Sequence, residues 1–453
     1  MKSLIYKKIL FGICIVFCIV FILFLCLHSF DDKKSKDYPY IPNQILKSVN
    51  EVVTPEMFGA VGDGFTDDTD AVQKCLAKYN NEKSVCVFTK IYVCSNRIRV
   101  FPNTYIYLSG TLIANSIDGH GISVQLFEYD GDNSNYKNSN ITITGGGIID
   151  AKGYDETERY NSMLRMGHGE NIKIENISFK NAVRYHAMEI TSCKNVTINN
   201  CTFEGFYAHN NCEKIDVKNH KVIGPYEFIQ IEELDSGGSG GMTPYDNTIP
   251  ENITISNCTF SCGNGEFYKA IGDHGKRKFS YKDIKIINNT FKNTTRNPVY
   301  DEKVNPSYNC IVGFYTKIEG LKISGNIFEN CNANTICASG DVEITNNTFK
   351  NILLNGISVL FDSKIKILNN VFEDVSTHNL QNNENYFSYI KIGNDKSSIK
   401  VDLLVSENTF INNLNLSIKI LDCYEFQKSS YTYLKNQEYG LFNKTIIEQY
   451  ANT

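Results

Sequence analysis

Apolar and polar residues alternate along this chain in one short phrase that recurs eight times. The copies read NIKIENISF, NVTINNCTF, NITISNCTF, DIKIINNTF, GLKISGNIF, DVEITNNTF, KIKILNNVF and DLLVSENTF, ending at Phe179, Phe203, Phe260, Phe291, Phe328, Phe349, Phe372 and Phe410. Alternation with a period of two predicts a strand with one buried face. The Asn or Gly that follows predicts a bend, because Asn tolerates left-handed backbone angles and bonds its own chain. The closest copies lie twenty-one to twenty-four residues apart. Units of that size cannot bury their apolar face alone and have to stack. The pattern therefore predicts a solenoid of strands.

A second strand is expected between successive phrases: MLRMGH from 163, AMEITS from 187, FIQIEE from 228, KAIGDH from 269, CIVGFY from 310, ISVLFD from 357 and YIKIGN from 389. Earlier strands occupy 84–125, and Asn140–Asp150 opens the regular part. Two excursions, at about 206–226 and 236–250, break the rhythm. Insertions in solenoids project on one face and shape binding grooves. The pattern stops at Cys423, so the solenoid is expected over 51–425, with 426–453 as a cap or tail.

Before the first strands stands FGAVGDGFTDDTDAVQ, Phe58 to Gln73. Its second half predicts a helix. Asp67 or Asp68 can cap the free amides, Asp70 lies at the positive end of the dipole, and Ala71, Val72, Cys75, Leu76 and Tyr79 share one face. Such a helix would close the first coil of a solenoid, making 51–82 an N-terminal cap. This stretch resembles the opening of the pectate-lyase-like superfamily, in its rhamnogalacturonase- and epimerase-like branch. The resemblance, over about 52–425, implies an all-β fold, a single-stranded right-handed parallel β-helix. In that superfamily the segment is a structural cap and says little about reaction type.

The amino terminus is a different object. Lys2, Lys7 and Lys8 precede an unbroken apolar run from Ile9 to Leu27, long enough to span a bilayer as a helix. The exit lacks the small residues of a cleavage site, so 1–30 reads as an uncleaved cytoplasmic stub and transmembrane anchor, with a removed signal as the alternative. Residues 31–50 form a linker. Lys33, Lys34 and Lys36 balance the lysines on the other side, so the role of the remainder places the large domain outside the cell membrane. The formal net charge of −5 offers no basic field for nucleic acid. Fifteen cysteines include no CxxC pair, which argues against a zinc site and for small apolar core fillers. Asn-x-Ser/Thr triplets at Asn176, Asn195, Asn200 and Asn252 come from the repeat grammar itself.

Candidate chemistry sits on the second strands. If Met188/Ile190, Ile229/Ile231 and Ala270/Gly272 point inward, Glu189, Gln230, Glu232 and Asp273 point outward, with Glu232 and Asp273 stacked on neighbouring coils roughly 5 Å apart. Carboxylates that close raise one another's proton affinity and supply one acid and one base. A spacing of about 5–5.5 Å suits a retaining glycosidase, and about 6.5–9.5 Å an inverting one. His274 would assist, and Glu189, Gln230, Asp235, Lys276, Arg277, His186 and His168 would line a substrate groove, the basic pair suiting a uronate. Glu232, Asp235 and Asp273 could instead hold Ca2+ for β-elimination, whereas a hydrolase needs no cofactor. The NTD, DD, GHG and RIK signatures of polygalacturonases are missing in that order; GDHG at 272–275 is a partial echo. Three readings stand: hydrolysis of an acidic polysaccharide, a lyase or uronate epimerase, and a non-catalytic glycan-binding solenoid. A homotrimer associated side by side is a further expectation.

Overall fold

The computed structural model describes residues 41, 46, 51–78, 84–115, 122–123, 136–154, 162–183, 186–207, 227–234, 245–265, 267, 269–273, 279–294, 310–377, 387–393, 399–423, 426–427 and 431–443. The anchor expected over Ile9–Leu27 lies outside these residues. Among those described, no helix is long and apolar enough to cross a membrane.

Each regular coil has three faces rather than two, with the first two fused into one strand in Asn334–Thr345 and Ile357–Leu368. In one coil Met188–Thr191 forms a first face, Lys194–Asn199 a second and Thr202–Tyr207 a third. Every strand pairs in parallel with its counterpart one coil on. The recurring phrase carries the second face, the bend and the opening of the third face; the intervening strands are the first face. The bends fall where the sequence places them. Ser192 (φ 49°) turns the first face into the second, and Asn200 (φ 52°) turns the second into the third.

All eight phenylalanines occupy one inward column on the third face, with Phe179 opposite Phe203, Phe203 opposite Phe260, and so on to Phe410. Their rings are fully buried. Successive centroids lie 4.5–5.1 Å apart, with planes within 14°. The spacing is that of neighbouring strands, so coil stacking imposes the ring stacking.

Asparagines form ladders at the bends. Inside the second bend, Asn347 donates from Nδ2 to Asn370 Oδ1 (2.9 Å) and to Ile323 O (2.9 Å), while its Oδ1 accepts from the backbone N–H of Asn326 (2.9 Å). Asn289, Asn326, Asn370 and Asn408 repeat this bonding. Outside the solenoid, Asn252, Asn195, Asn171 and Asn140 each donate to the asparagine one coil before, at 2.8–3.2 Å. Asn195 and Asn252 of the glycosylation-like triplets are thus rungs of an outer ladder.

The cap forms as expected, with the two aspartates dividing the work. The helix spans Thr69–Ala77 and buries Val72, Cys75 and Leu76 in the core. Asp67 Oδ1 accepts from the Thr69 N–H (3.0 Å), whereas the Asp68 carboxylate turns back to the N–H groups of Val61 (2.7 Å) and Gly62 (3.1 Å). The motif is thereby a closed loop pinned to its own helix; Tyr79 lies outside the described residues. At the other end the strands run past the expected boundary at 425. Tyr431–Leu434, Gln437–Gly440 and Phe442–Asn443 continue the ladders. That coil escaped notice because Glu438 stands in the phenylalanine column, opposite Phe410.

Candidate functional site

The first face carries the candidate residues, and its register differs from expectation in one coil. Ile229 pairs with Ile271 and Gln230 with Gly272. Ile271, not Ala270 and Gly272, therefore continues the inward column of Met188 and Ile229. The outward column runs Arg165, Glu189, Gln230, Gly272, Gly313, Cys337 and Ser358. Continuing the register sets Asp273 opposite Ile231, not in the column of Glu232. The reason is local. A Cβ on Gly272 would lie 2.3 Å from Gly313 O, so the chain passes too close there for a side chain, and the larger Ile271 fills the core position. The expected outward stack of Glu232 on Asp273 does not form.

Asp273 instead serves the bend of the next coil. Its Oδ1 accepts from the Tyr315 N–H (2.8 Å) and its Oδ2 from the Thr316 N–H (2.9 Å). Burial pushes its pKa up to about 7; the bonds from Thr316 and Tyr315 oppose that rise and the charge of Glu232 adds to it. The two carboxylates sense each other as expected, but neither faces solvent: each is 2% exposed.

What the face does assemble is a network over three coils. Arg165 Nε donates to Glu189 Oε2 (2.6 Å), and Ser162 Oγ donates to Glu189 Oε1. Burial works to raise the Glu189 pKa; the Arg165 guanidinium, then His186 and the Ser162 hydroxyl, outweigh it and hold the carboxyl below its usual range. Gln230, one coil on, donates from Nε2 to Glu232 Oε2. His186 Nδ1 lies 2.9 Å from Glu227 O at the start of the same face. Arg165, His186, Glu189, Gln230 and Glu232 are all buried although the strand positions of Arg165, Glu189, Gln230 and Glu232 point away from the core.

His168 stands apart. It occupies the bend after Gly167 with φ 50°, fully buried, its Nδ1 3.3 Å from Thr248 Oγ1 and 3.7 Å from Asp246 Oδ2. It props the segment 246–248 rather than joining Glu189. Asp235, His274, Lys276 and Arg277 lie outside the described residues. Among the described residues no group of three or more His, Cys, Asp or Glu side chains is placed to hold a metal ion. Arg165 and Ser162 escaped the sequence reading; the available signal was an arginine between Leu164 and Met166 in an otherwise apolar strand, one coil before Glu189.

No family model matches the chain. Over 290 residues it is 29% identical to plasmin and fibronectin-binding protein A of Streptococcus pneumoniae (strain ATCC BAA-255 / R6), covering 58% of this chain and 40% of that protein. The chain thus spans less than half the length of that relative. A stretch of 66 residues, 15% of this chain and 9% of the other protein, is 36% identical to a capsule-specific depolymerase of Klebsiella phage K64-1. Among solved structures, PfbA, a surface adhesin of Streptococcus pneumoniae, superposes with a TM-score of 0.62 at 20% identity, covering 87% of this chain and 91% of that one. Geobacillus virus E2 ORF18 superposes with a TM-score of 0.50 at 15% identity, covering 82% and 62%. These likenesses establish the fold, a right-handed parallel β-helix.

Proposed function

We propose, from the premise that the chain is a right-handed parallel β-helix of the pectate-lyase-like kind, that it is a surface protein that hydrolyses polysaccharide on its first face. The observation that carries this reading is the pairing of Glu189 opposite Gln230, with Glu232 two residues further along the same face. At about 4.8 Å per coil and about 3.3 Å per residue, the Glu189 and Glu232 backbones stand about 8 Å apart on the diagonal. An inverting pair needs its carboxyl groups about 6.5–9.5 Å apart to admit a water, a span that two side chains on backbones so placed can reach. Glu189, kept ionised by Arg165, takes the part of base, and Glu232, buried one coil on, that of acid. We read this pair as inverting, where the spacing expected of Glu232 and Asp273 would have suited a retaining enzyme. The partial identity to a capsule depolymerase supports a polysaccharide substrate. Lys276 and Arg277 would favour a uronate-containing one.

The test is incubation with uronate polysaccharides, scoring new reducing ends and ultraviolet-absorbing unsaturated ends, with the anomer of the first product read by NMR. Inverted product, lost on the order of 10²–10⁴-fold in Glu189→Gln and Glu232→Gln, is expected. Retained anomers would sink the assignment, and unsaturated ends that vanish with chelator would replace it by calcium-dependent elimination. A second reading, adhesion without cleavage, draws on the relative that binds plasmin and fibronectin. It predicts capture by immobilised fibronectin with no product from any glycan.

A further inference from the structure

The column inside the second bend changes character partway along the solenoid. From Asn289 onward it is the asparagine ladder. Upstream the same column holds Cys258 and Cys201: the Cys258 N–H donates to Asn289 Oδ1 (2.8 Å), as the backbone of each asparagine does to the next rung. The two cysteines stand opposite each other, because the parallel register sets Asn199 against Ser256 and Thr202 against Thr259. Neighbouring strands are about 4.8 Å apart, inside the roughly 4.4–6.8 Å between Cα atoms that a disulfide requires. Both are free thiols in this structure, close enough to interact, and each residue is 1% exposed. The chain between them is more than twice the closest repeat spacing. It contains Glu232 and both long excursions, so this coil is held by its neighbours over the longest detour.

We propose that Cys201 and Cys258 are an inter-coil disulfide site that clamps the coil bearing Glu232. Where later coils are tied by asparagine hydrogen bonds, this one is tied covalently. Each thiol gives up a proton and an electron as the S–S bond forms; an external disulfide such as oxidised glutathione accepts both pairs and leaves as two thiols. Because the pair is buried, exchange takes place while the coil is still open, during folding. The proposal rests on the surface reading only for where oxidation would occur, since thiols inside the cytosol stay reduced.

The test refolds the full chain from denaturant in oxidised or in reduced glutathione, alkylates the remaining thiols and maps the peptides by mass spectrometry. A linked Cys201–Cys258 peptide is expected only after oxidising refolding, with an unfolding midpoint shifted to higher denaturant. The double variant Cys201→Asn, Cys258→Asn extends the asparagine ladder and should lose that redox shift. Full alkylation of both cysteines after oxidising refolding, or a redox shift that persists in the double variant, would overturn the proposal. The peptide map of the natural sequence decides the matter even where the variant fails to fold. It needs no glycan, so its failure is distinct from failure of the hydrolase reading.

Discussion

The third face and the first face run through the same regular coils, yet one repeats and the other does not. On the third face an identical residue fills the inward column eight times, and ring stacks on ring at coil spacing. On the first face the outward column reads Arg165, Glu189, Gln230, Gly272, Gly313, Cys337 and Ser358, mostly without repetition. A column that repeats answers to stacking alone, since every coil presents the same neighbour above and below. A column that varies is free of that demand, and its side chains answer to something local. In this molecule that is a buried ionic and hydrogen-bonded network on a face pointing away from the core.

The largest test of the contrast lies in the repeating column. Phe260 is fully buried between Phe203 and Phe291, with centroids 4.8 Å away on both sides. Phe260→Ala would open a cavity and break two stacked ring contacts and a tilted one with Phe228, for a loss of about 3–5 kcal/mol in denaturant unfolding. A loss below about 1 kcal/mol would mean that the column is decoration and the bends hold the coils.

Next comes a carboxylate that belongs to neither pattern. Asp273 has a folded pKa of about 7 against an ordinary unfolded value near about 3.9. Its folded pKa is raised, so between about pH 4 and pH 7 the native state binds more protons than the unfolded chain. Stability from this group is complete below pH 4 and falls as pH rises to 7. Asp273→Asn should flatten that slope in unfolding measured across the window, whatever constant offset the amide adds at the bend. An unchanged slope would show that the Tyr315 and Thr316 amides hold the carboxylate ionised.

The fold was legible because its grammar is redundant. Eight copies fix the phase of the second face, and the Asn at each bend agrees with it. The site was less so, because the first face offers one apolar run per coil and no fixed landmark. In KAIGDH, Ala270 and Ile271 are both apolar, so periodicity alone admits two registers one residue apart. The structure chose the register with Ile271 in the core column, and that slip moved Asp273 out of the column of Glu232. The role of Arg165 was obscured for a related reason: its lone charge in an apolar strand stands out, but its partner Glu189 lies one coil on, a contact set by coil length rather than by any local motif.

The asparagine ladder tests the repeating region more gently. Asn347 meets four groups in neighbouring coils through its amide: the N–H and Nδ2 of Asn326, Ile323 O and Asn370 Oδ1. Asn347→Ala leaves a buried N–H and a carbonyl to find new partners, at about 1–3 kcal/mol. Thermal unfolding should show this loss, and a neutral result would mean that water fills the rung.

The smallest effect belongs to the outer side of the third face, where the two regions become alike in energy though not in appearance. Lys350 stands opposite Glu373, with Nζ 3.4 Å from the carboxylate, and Lys180 opposite Glu204 at 3.7 Å. These pairs recur in the column beside the phenylalanines, though Ser261 and Ile411 interrupt it. Their side chains are well exposed, however, so water and salt screen the attraction, and holding two long side chains together costs rotamer freedom. Lys350→Ala should therefore change stability by less than about 1 kcal/mol, with the remaining difference vanishing in high salt. If it cost as much as Phe260→Ala, outer charge rather than inner aromatic stacking would be what the repeat preserves.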